Sequence, residues 1–146
     1  MYGMAHKEET EQAQSRAVSG ASSMRQLPSV EINPGDIASS TQETTVARIA
    51  NKDYTLEIVR SQEERIRGLS GRKRLGSNSG MLFLFPTSDY HAIWMKEMNF
   101  AIDIVWLDAD YKVVNIVQEA TPESYPATFR PEVPARYVIE LPAGSI

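Results

Sequence analysis

The stretch HAIWMKEMNFAIDIVWLD, residues 91 to 108, contains a run, FAIDIVWL, that is typical of a buried strand except for one carboxylate, Asp103. Successive side chains of a strand point to opposite faces of its sheet. One face is therefore predicted to carry Ile102, Ile104 and Trp106, and the other Asp103, Val105 and Leu107. Because both faces are mainly apolar, Asp103 is predicted to be at least partly buried.

The predicted burial of Asp103 leaves two roles open. A buried charge must be paired or hydrogen-bonded, or it takes up a proton. A structural ion pair or a set of backbone hydrogen bonds would meet this need, and the cations available in structured contexts are Lys96, Arg130 and Arg136. The other role is a ligand-binding or catalytic carboxylate in a pocket. The residues alone do not decide between the two roles.

The composition limits the classes of protein that the sequence can encode. With 146 residues, the chain fits one domain of ordinary size plus a tail. A net charge of −4 argues against a nucleic-acid partner, because nucleic-acid-binding domains are usually strongly basic. The absence of cysteine excludes disulfides and thiol chemistry, and the two histidines, His6 and His91, are too few for a histidine-rich site. No metal and no cofactor are predicted.

The hydropathy pattern predicts no transmembrane segment. The longest uninterrupted apolar run, Met81 to Phe85, is far shorter than the roughly 20 residues that span a bilayer. The N-terminus also lacks the apolar stretch of a signal peptide. The chain is therefore predicted to be soluble, and it would be exported or envelope-associated if a leader had been removed.

The composition changes near residue 43. Residues 1–43 are rich in Ser, Thr, Gln, Glu and Gly and carry few aliphatic side chains, so they cannot bury enough surface to offset the entropy of ordering. They are predicted to form a flexible polar tail. Residues 44–146 are predicted to form a single β-rich domain.

Local patterns in this domain predict seven short strands and one helix. TTVARIA and DYTLEIV alternate with period two around a turn-prone NKD, which predicts a β-hairpin with Tyr54, Leu56 and Ile58 facing inward. The capping-box pair in SQEERIRG predicts two turns of helix. The other predicted strands are GMLFLF, which Pro86 closes, residues 92–95, residues 101–107, KVVNIVQE and ARYVIEL. This pattern predicts a mainly β fold, a compact β-sandwich or partly closed barrel.

Four further residues join Asp103 as candidate site residues. Trp94 and Lys96 share a strand face, where an ammonium group beside an indole could receive a ligand. The pattern favours core packing for Trp94, and a solvated side chain fits Lys96 equally well. Arg136 and Glu140 share a face of the last strand about 13 Å apart, so each needs a partner on a neighbouring strand. Convergence of Asp103 and Glu140 would give a carboxylate pair able to do acid–base work.

Five stretches taken in order, RIRGLSGRKRL, GMLFLF, WMKEMNFAIDIVWLDAD, VVNI and PARYVIELPAG, resemble the bacterial and archaeal domain-of-unknown-function family 192. The resemblance covers about residues 45–144. It implies a compact β-rich sandwich or barrel of jelly-roll type with a short helix, and it implies no established activity. The recurrent residues of the family fall on Arg67, Gly68, Leu69, Gly80, Met81, Phe83, Trp94, Met95, Lys96, Asp103, Asp108, Arg136 and Glu140.

The sequence departs from the family pattern at three places. Ala101 stands where proline is common, and Tyr111 stands where glycine is common, so this hairpin is expected to adopt a different turn. Members of the family usually continue past the AG of residues 143–144 to a further strand, whereas this chain ends at Ile146. A missing strand would expose an unpaired edge, unless the N-terminal region compensates. Members also often carry an N-terminal signal or lipid-attachment sequence, so the polar tail could be a linker that follows such a signal.

These observations favour a non-enzymatic binding or accessory domain, in the cell envelope if the tail is such a linker, for a small polar or anionic ligand. The predicted ligand-binding residues are Trp94, Lys96, Asp103, Arg136 and Glu140. One alternative is a hydrolase or lyase that uses Asp103 or Glu140 as a general base. Another is a structural domain that presents an exposed strand edge to a protein partner.

Overall fold

Nine β-strands and two short α-helices make up the described part of the chain, residues 26–38 and 43–146, in the computed structural model. In chain order they are β1 (Val30–Ile32), α1 (Pro34–Ala38), β2 (Thr44–Ile49), β3 (Lys52–Val59), α2 (Gln62–Arg67), β4 (Ser79–Asp89), β5 (Ile93–Trp94), β6 (Ile102–Leu107), β7 (Val113–Ala120), β8 (Thr128–Phe129) and β9 (Ala135–Pro142). A single turn of 3₁₀ helix, Pro122–Ser124, precedes β8.

Seven strands form one mixed sheet in the order β1-β2-β3-β4-β9-β6-β7, and β5 pairs with β8 in a small second sheet. β3 and β4 run parallel, with α2 in the crossover between them, and the other neighbouring strands run antiparallel. The long sheet is curled into a half-barrel, which confirms the predicted mainly β fold. The described strands do not form the two Greek keys of a jelly roll, so that finer expectation is not confirmed.

The hairpin and the helix are both present as predicted, although the turn lies at Ala50 and Asn51 and the last two residues of the predicted NKD turn belong to β3. Ala50 and Asn51 connect β2 to β3 with φ angles of 48° and 66°, as a two-residue turn between twisted strands requires. Helix α2 begins at a complete capping box, because Ser61 Oγ accepts from the Glu64 N–H at 3.1 Å and Glu64 Oε2 accepts from the Ser61 N–H at 2.9 Å. Gly68 ends the helix with φ 46°. The predicted inward residues of β3 are buried: Tyr54, Leu56 and Ile58.

Strand β4 is longer than predicted. It continues past Pro86 to Asp89 instead of ending at the proline. Proline has no N–H to donate to a ladder, and the pairing of β4 with β9 is irregular between Leu84 and Asp89. The prediction that Pro86 closes the strand was therefore wrong about its length, although the regular ladder does end just before the proline.

The final strand β9 lies in the interior of the sheet. β4 pairs along one edge of β9 and β6 along the other, so the unpaired edge expected beside the final strand is not found there. β1 and β7 are the edge strands of the described sheet.

Part of the predicted tail belongs to the domain. Val30–Ile32 pairs with β2, and Ile37 of α1 is buried beneath the hairpin. The composition of residues 1–43 concealed this short apolar segment, and the predicted start at Thr44 was therefore too late. Residues 1–25 and 39–42 lie outside the described residues, where the tail stays a prediction.

Two apolar clusters lie on opposite faces of the central strands β4, β9 and β6, which confirms the alternation predicted for FAIDIVWL. One face, here called the site face, carries Met81, Phe83, Ile104, Trp106 and Val138. The other, here called the hairpin face because the β2–β3 hairpin packs against it, carries Leu82, Val105, Leu107, Ile139 and Leu141.

Replacement of Gly80 in β4 is expected to destabilise the sheet. A Cβ atom at Gly80 would lie 2.6 Å from the Glu140 carbonyl oxygen and 2.7 Å from Leu56 Cδ2, so Gly80→Ala must push neighbouring strands apart. The expected loss in the free energy of unfolding, measured by urea denaturation, is about 2–3 kcal/mol.

The exposed Gly35→Ala serves as the control, since its Cβ would meet only Asn33 Oδ1 at 3.3 Å. It should change the free energy of unfolding by no more than about 0.5 kcal/mol. A Gly80→Ala protein as stable as the wild type would contradict the close strand approach described here.

Candidate functional site

An open cavity of about 510 Å³ lies on the site face, between α2, the end of β4 and residues 86–94. Most of its lining is apolar or aromatic, with Glu140 as the one acidic side chain among the described residues that line it. The lining consists of Gln62, Arg65, Ile66, Arg67, Gly68, Leu69, Ser70, Phe83, Phe85, Pro86, Thr87, His91, Ala92, Ile93, Trp94, Met98, Thr128 and Glu140.

The wall of the cavity is built by the end of α2 and by alternate residues of β4. Phe83 and Phe85 share the site face because they are two residues apart along the strand. Gly68 lets the chain leave α2 close to this wall, since a Cβ at this position would lie 3.2 Å from Phe83 Cζ. Leu69, directly after this glycine, is buried against the same cluster.

Glu140 is the polar group at the inner end of the cavity. Its cross-strand neighbours on the site face are Met81 of β4 and Ile104 of β6, which are both buried and apolar. Only 5% of Glu140 is exposed, and its carboxyl group forms no hydrogen bond or ion pair with the described residues. Burial raises the pKa of Glu140 from 4.5 to about 8, because the apolar surroundings disfavour the charged form. The folded protein therefore holds this acid mainly protonated at neutral pH.

The basic groups that line the cavity are held by other partners. The Arg65 guanidinium donates to the carbonyl oxygens of Arg60 and Leu84 and lies 5.0 Å from the centre of the Phe85 ring. Arg67 pairs with Glu63 at 3.4 Å. Neither guanidinium therefore neutralises Glu140.

His91 is fixed against the same wall. Its ring stacks on Phe85 with 3.6 Å between the ring centroids, and its Nε2 lies 2.8 Å from the carbonyl oxygen of Thr87. The backbone is held as well, because the indole N–H of the buried Trp106 donates to the carbonyl oxygen of His91 at 2.9 Å. The histidine is thus a positioned part of the lining.

Trp94 lines the cavity, and Lys96 lies beside its indole. Trp94 is 43% exposed, and its ring makes an edge contact with Tyr125 at 5.9 Å between centroids. The Lys96 ammonium lies 5.5 Å from the centre of the indole ring, although Lys96 itself does not line the cavity. The predicted proximity of these two residues is therefore present.

Asp103 points away from this cavity, to the hairpin face, where Leu141 is its cross-strand neighbour. It is completely buried. Its Oδ1 accepts the backbone N–H of Glu119 at 2.8 Å, and its Oδ2 accepts the backbone N–H of Ile146 at 3.0 Å. Glu119 lies where the β6–β7 register shifts and has a φ of 52°. Backbone amides, rather than the cations considered from sequence, thus satisfy this carboxylate.

Arg136 shares the site face with Glu140 but does not line the cavity. Its Nε donates to the carbonyl oxygen of Phe85 at 2.6 Å, which ties β9 to the irregular part of β4. The structure therefore brings Trp94 and Glu140 to one cavity, with Lys96 beside the indole, and it leaves Asp103 and Arg136 outside.

Sequence reasoning missed Phe85, His91 and the α2 residues of the lining. The even spacing of Met81, Phe83 and Phe85 in GMLFLF was the available signal, because it puts them on one face. No comparable signal linked α2 to β9, since their place in one cavity depends on the long-range pairing of β4 with β9.

The described residues contain no group of three or more histidine, aspartate or glutamate side chains arranged to hold a metal ion. Among the helices in the described part of the chain, none has the length and apolar character needed to cross a membrane.

Residues 44–146 match the sequence model of the family DUF192, which is described as Uncharacterized ACR. No curated protein matches the chain significantly.

Two solved structures are similar to this one. A protein from Sinorhizobium meliloti 1021, described as a proposed transcription regulator, is 32% identical, with a TM-score of 0.60 over 63% of this chain and 70% of that one. A protein of unknown function from Novosphingobium aromaticivorans DSM 12444 is 23% identical, with a TM-score of 0.62 over 82% of this chain and 84% of that one. At that identity the second likeness shows the fold alone.

Asp103→Asn is expected to lower the free energy of unfolding by about 1.5–3 kcal/mol, because one of the two accepting oxygens becomes an NH2 group that faces a backbone N–H instead of accepting from it. Urea denaturation measures the loss, and hydrogen exchange at the Glu119 and Ile146 amides should become faster. The exposed Asp110→Asn is the control and should stay within about 0.5 kcal/mol of the wild type. If Asp103→Asn were as stable as Asp110→Asn, the structural role of the Asp103 carboxylate would be contradicted.

Stability should depend on pH through Glu140. The unfolded chain releases the Glu140 proton near pH 4.5, whereas the folded protein holds it to about pH 8. The free energy of unfolding should therefore fall as the pH rises through this window, by up to about 1.4 kcal/mol per pH unit from this group, and level off above it.

Glu140→Gln should lack the pH dependence that Glu140 gives to the free energy of unfolding. Its stability should therefore rise relative to that of the wild type as the pH rises. Urea denaturation across the window measures both proteins, with the exposed Glu132→Gln as a control that should follow the wild type. If the free energy of unfolding changed with pH in the same way for the wild type and Glu140→Gln, a strongly raised pKa of Glu140 would be contradicted.

Proposed function

The chain belongs to the DUF192 family, and we propose that it is a non-enzymatic binding module whose cavity takes one small, mainly apolar ligand with a single polar group. The observation that carries this proposal is the Glu140 carboxyl group, buried at the inner end of an open cavity without a partner among the described residues. A polar group buried without a hydrogen bond costs stability. A ligand that contacts Glu140 would recover that free energy.

The shape and chemistry of the cavity support a small molecule. A volume of about 510 Å³ lies within the usual range of ligand pockets, which are largely apolar with a few placed polar groups. Trp94 offers an exposed aromatic face at the mouth. The lining thus provides an apolar surface for the body of a ligand, an aromatic ring at the mouth and one hydrogen-bonding group.

The proposal changes the site predicted from sequence. It keeps Trp94 and Glu140 as ligand-contacting residues and Lys96 as a neighbour of the indole. It assigns Asp103 and Arg136 to structural hydrogen bonds, because neither residue lines the cavity and each is held by main-chain groups. An anionic ligand is no longer favoured, since the predicted cations do not line the cavity.

A second candidate function, acid–base catalysis, is favoured by one observation: Glu140 has a pKa near 8 and shares the cavity with His91. An acid with a pKa near the working pH is suited to proton transfer. The original pair of Asp103 and Glu140 is not part of this candidate, because the two residues lie on opposite faces of the sheet. Turnover that is lost in Glu140→Gln would favour this candidate over simple binding.

The transcriptional role proposed for the Sinorhizobium meliloti protein is not favoured for this chain. Nucleic-acid-binding domains are usually strongly basic, and this chain has a net charge of −4.

Binding can be followed by tryptophan fluorescence in a screen of small aromatic and aliphatic compounds. The chain has two tryptophans, of which Trp94 lines the cavity and Trp106 is fully buried. A compound that enters the cavity should change the emission of the wild type but not that of Trp94→Phe. Ligand-observed NMR should report binding to both proteins.

The cavity itself is tested with Ala92→Phe, which adds a ring at the lining, and with Ala109→Phe, which adds the same ring at an exposed turn outside it. Ala92→Phe should weaken binding at least about tenfold, equivalent to about 1.4 kcal/mol. The control, Ala109→Phe, should bind like the wild type. Equal binding by both variants, or no binding compound at all, would overturn the proposed function.

A further inference from the structure

We infer that the ligand of this cavity is a small organic amine, whose ammonium group pairs with the Glu140 carboxylate while its apolar body packs against the aromatic walls. This inference rests on the proposed function, because it names the ligand chemistry for the same cavity. It follows from the partners that Glu140 lacks and from the charges that surround it.

The strands beside Glu140 offer its carboxyl group no side-chain donor. Met81 and Ile104 flank it on the two neighbouring strands, and both are apolar and buried. Among the described residues no cation forms an ion pair with it. A partner for this carboxyl group must therefore enter through the open cavity.

The basic groups that face the same region are engaged elsewhere. Arg65 from α2 and Arg136 from β9 donate to backbone carbonyl oxygens. Arg67 from α2 pairs with Glu63 at 3.4 Å, and His91 holds its Nε2 2.8 Å from a backbone carbonyl oxygen. Each of these basic groups is therefore held by a partner other than Glu140.

The electrostatics favour an ammonium group over other polar groups. In apolar surroundings a carboxylate attracts an ammonium group more strongly than in water, and a buried charge is tolerated when it is paired. An anion would oppose ionisation of Glu140, and a neutral hydroxyl brings no charge to pair with the carboxylate. The lining also carries Arg65 and Arg67, but neither forms an ion pair with Glu140.

The raised pKa of Glu140 adds a signature that separates an amine from a neutral ligand. Glu140 is mainly protonated at neutral pH, with a pKa of about 8. Pairing with an ammonium group requires the carboxylate, so amine binding should release one proton to the buffer and strengthen as the pH rises to about 8. A neutral ligand that accepts a hydrogen bond from the protonated acid should show the opposite trend.

The test uses three compounds with the same aromatic body: phenethylamine, phenethyl alcohol and phenylacetate. Isothermal titration with the full chain should be run between about pH 6 and pH 9, in buffers of different ionisation enthalpy, to count protons released. Glu140→Gln removes the charge at nearly constant shape. Glu132→Gln makes the same change at an exposed position outside the cavity.

The expected result is that phenethylamine binds the wild type at least about tenfold more tightly than phenethyl alcohol near pH 8, with phenylacetate weakest. Its affinity should rise up to about tenfold per pH unit below pH 8. Glu140→Gln should weaken amine binding at least about tenfold and abolish this pH dependence, while binding of the alcohol changes less than about threefold. Glu132→Gln should behave like the wild type.

The amine inference is overturned if the alcohol binds as tightly as the amine, or if the affinity for the amine does not change with pH. If the alcohol still binds in the cavity and Ala92→Phe blocks it, the proposed function stands without an amine ligand. If none of the three compounds binds, the amine inference also fails, and the wider fluorescence screen decides the proposed function separately. The pH dependence and proton count of the wild type distinguish these outcomes even if Glu140→Gln does not fold.

Discussion

The pairing of β9 along both edges is the constraint on which the rest of the structure depends. β4 and β6 bind β9 on its two sides, so every side chain of β9 must point either to the site face or to the hairpin face. The approach is close: the carbonyl oxygen of Glu140 leaves no room for a Cβ atom at Gly80. Because the strand cannot slip by one residue without exchanging its two faces, Val138 and Glu140 are fixed on the site face and Ile139 and Leu141 on the other.

This fixed register explains how an acid comes to lie in an apolar environment. The same alternation that buries Val138 two residues earlier brings Glu140 to the inner end of the cavity. The neighbouring basic residues do not form an ion pair with Glu140. Arg136 donates instead to the backbone of β4, and Arg65 donates to carbonyl oxygens beside α2. The unpartnered acid therefore lies in the lining of a cavity that is open to solvent.

The features that were predicted from sequence are those with local causes. The β2–β3 hairpin, the capping box of Ser61 and Glu64, and the alternation along FAIDIVWL each depend on residues a few positions apart. The site depends on contacts across the chain. The strand β1, the interior position of β9 and the lining of one cavity by both α2 and Glu140 all require pairings that no local pattern encodes. Alternation correctly put Arg136 and Glu140 on one face, but it could not show which neighbours they would meet.

Asp103 and Glu140 are both buried carboxyl groups, but they have different roles because their surroundings differ. The two residues lie on adjacent strands one register step apart, since Ile104 opposes Glu140 and Asp103 opposes Leu141, and both are almost fully buried. Asp103 meets the free N–H groups of the β7 register shift and of Ile146, so its charge completes the backbone hydrogen bonding of the fold. The cross-strand neighbours of Glu140 are apolar, and the residue lines an open cavity.

The consequences for the fold differ. Asp103 holds the fold together, whereas Glu140 is expected to lower its stability. Of the two, Glu140 is the one that lies where a molecule from solution could supply the missing partner. The ligand site that we propose therefore lies at Glu140, although Asp103 is the residue to which the sequence first draws attention.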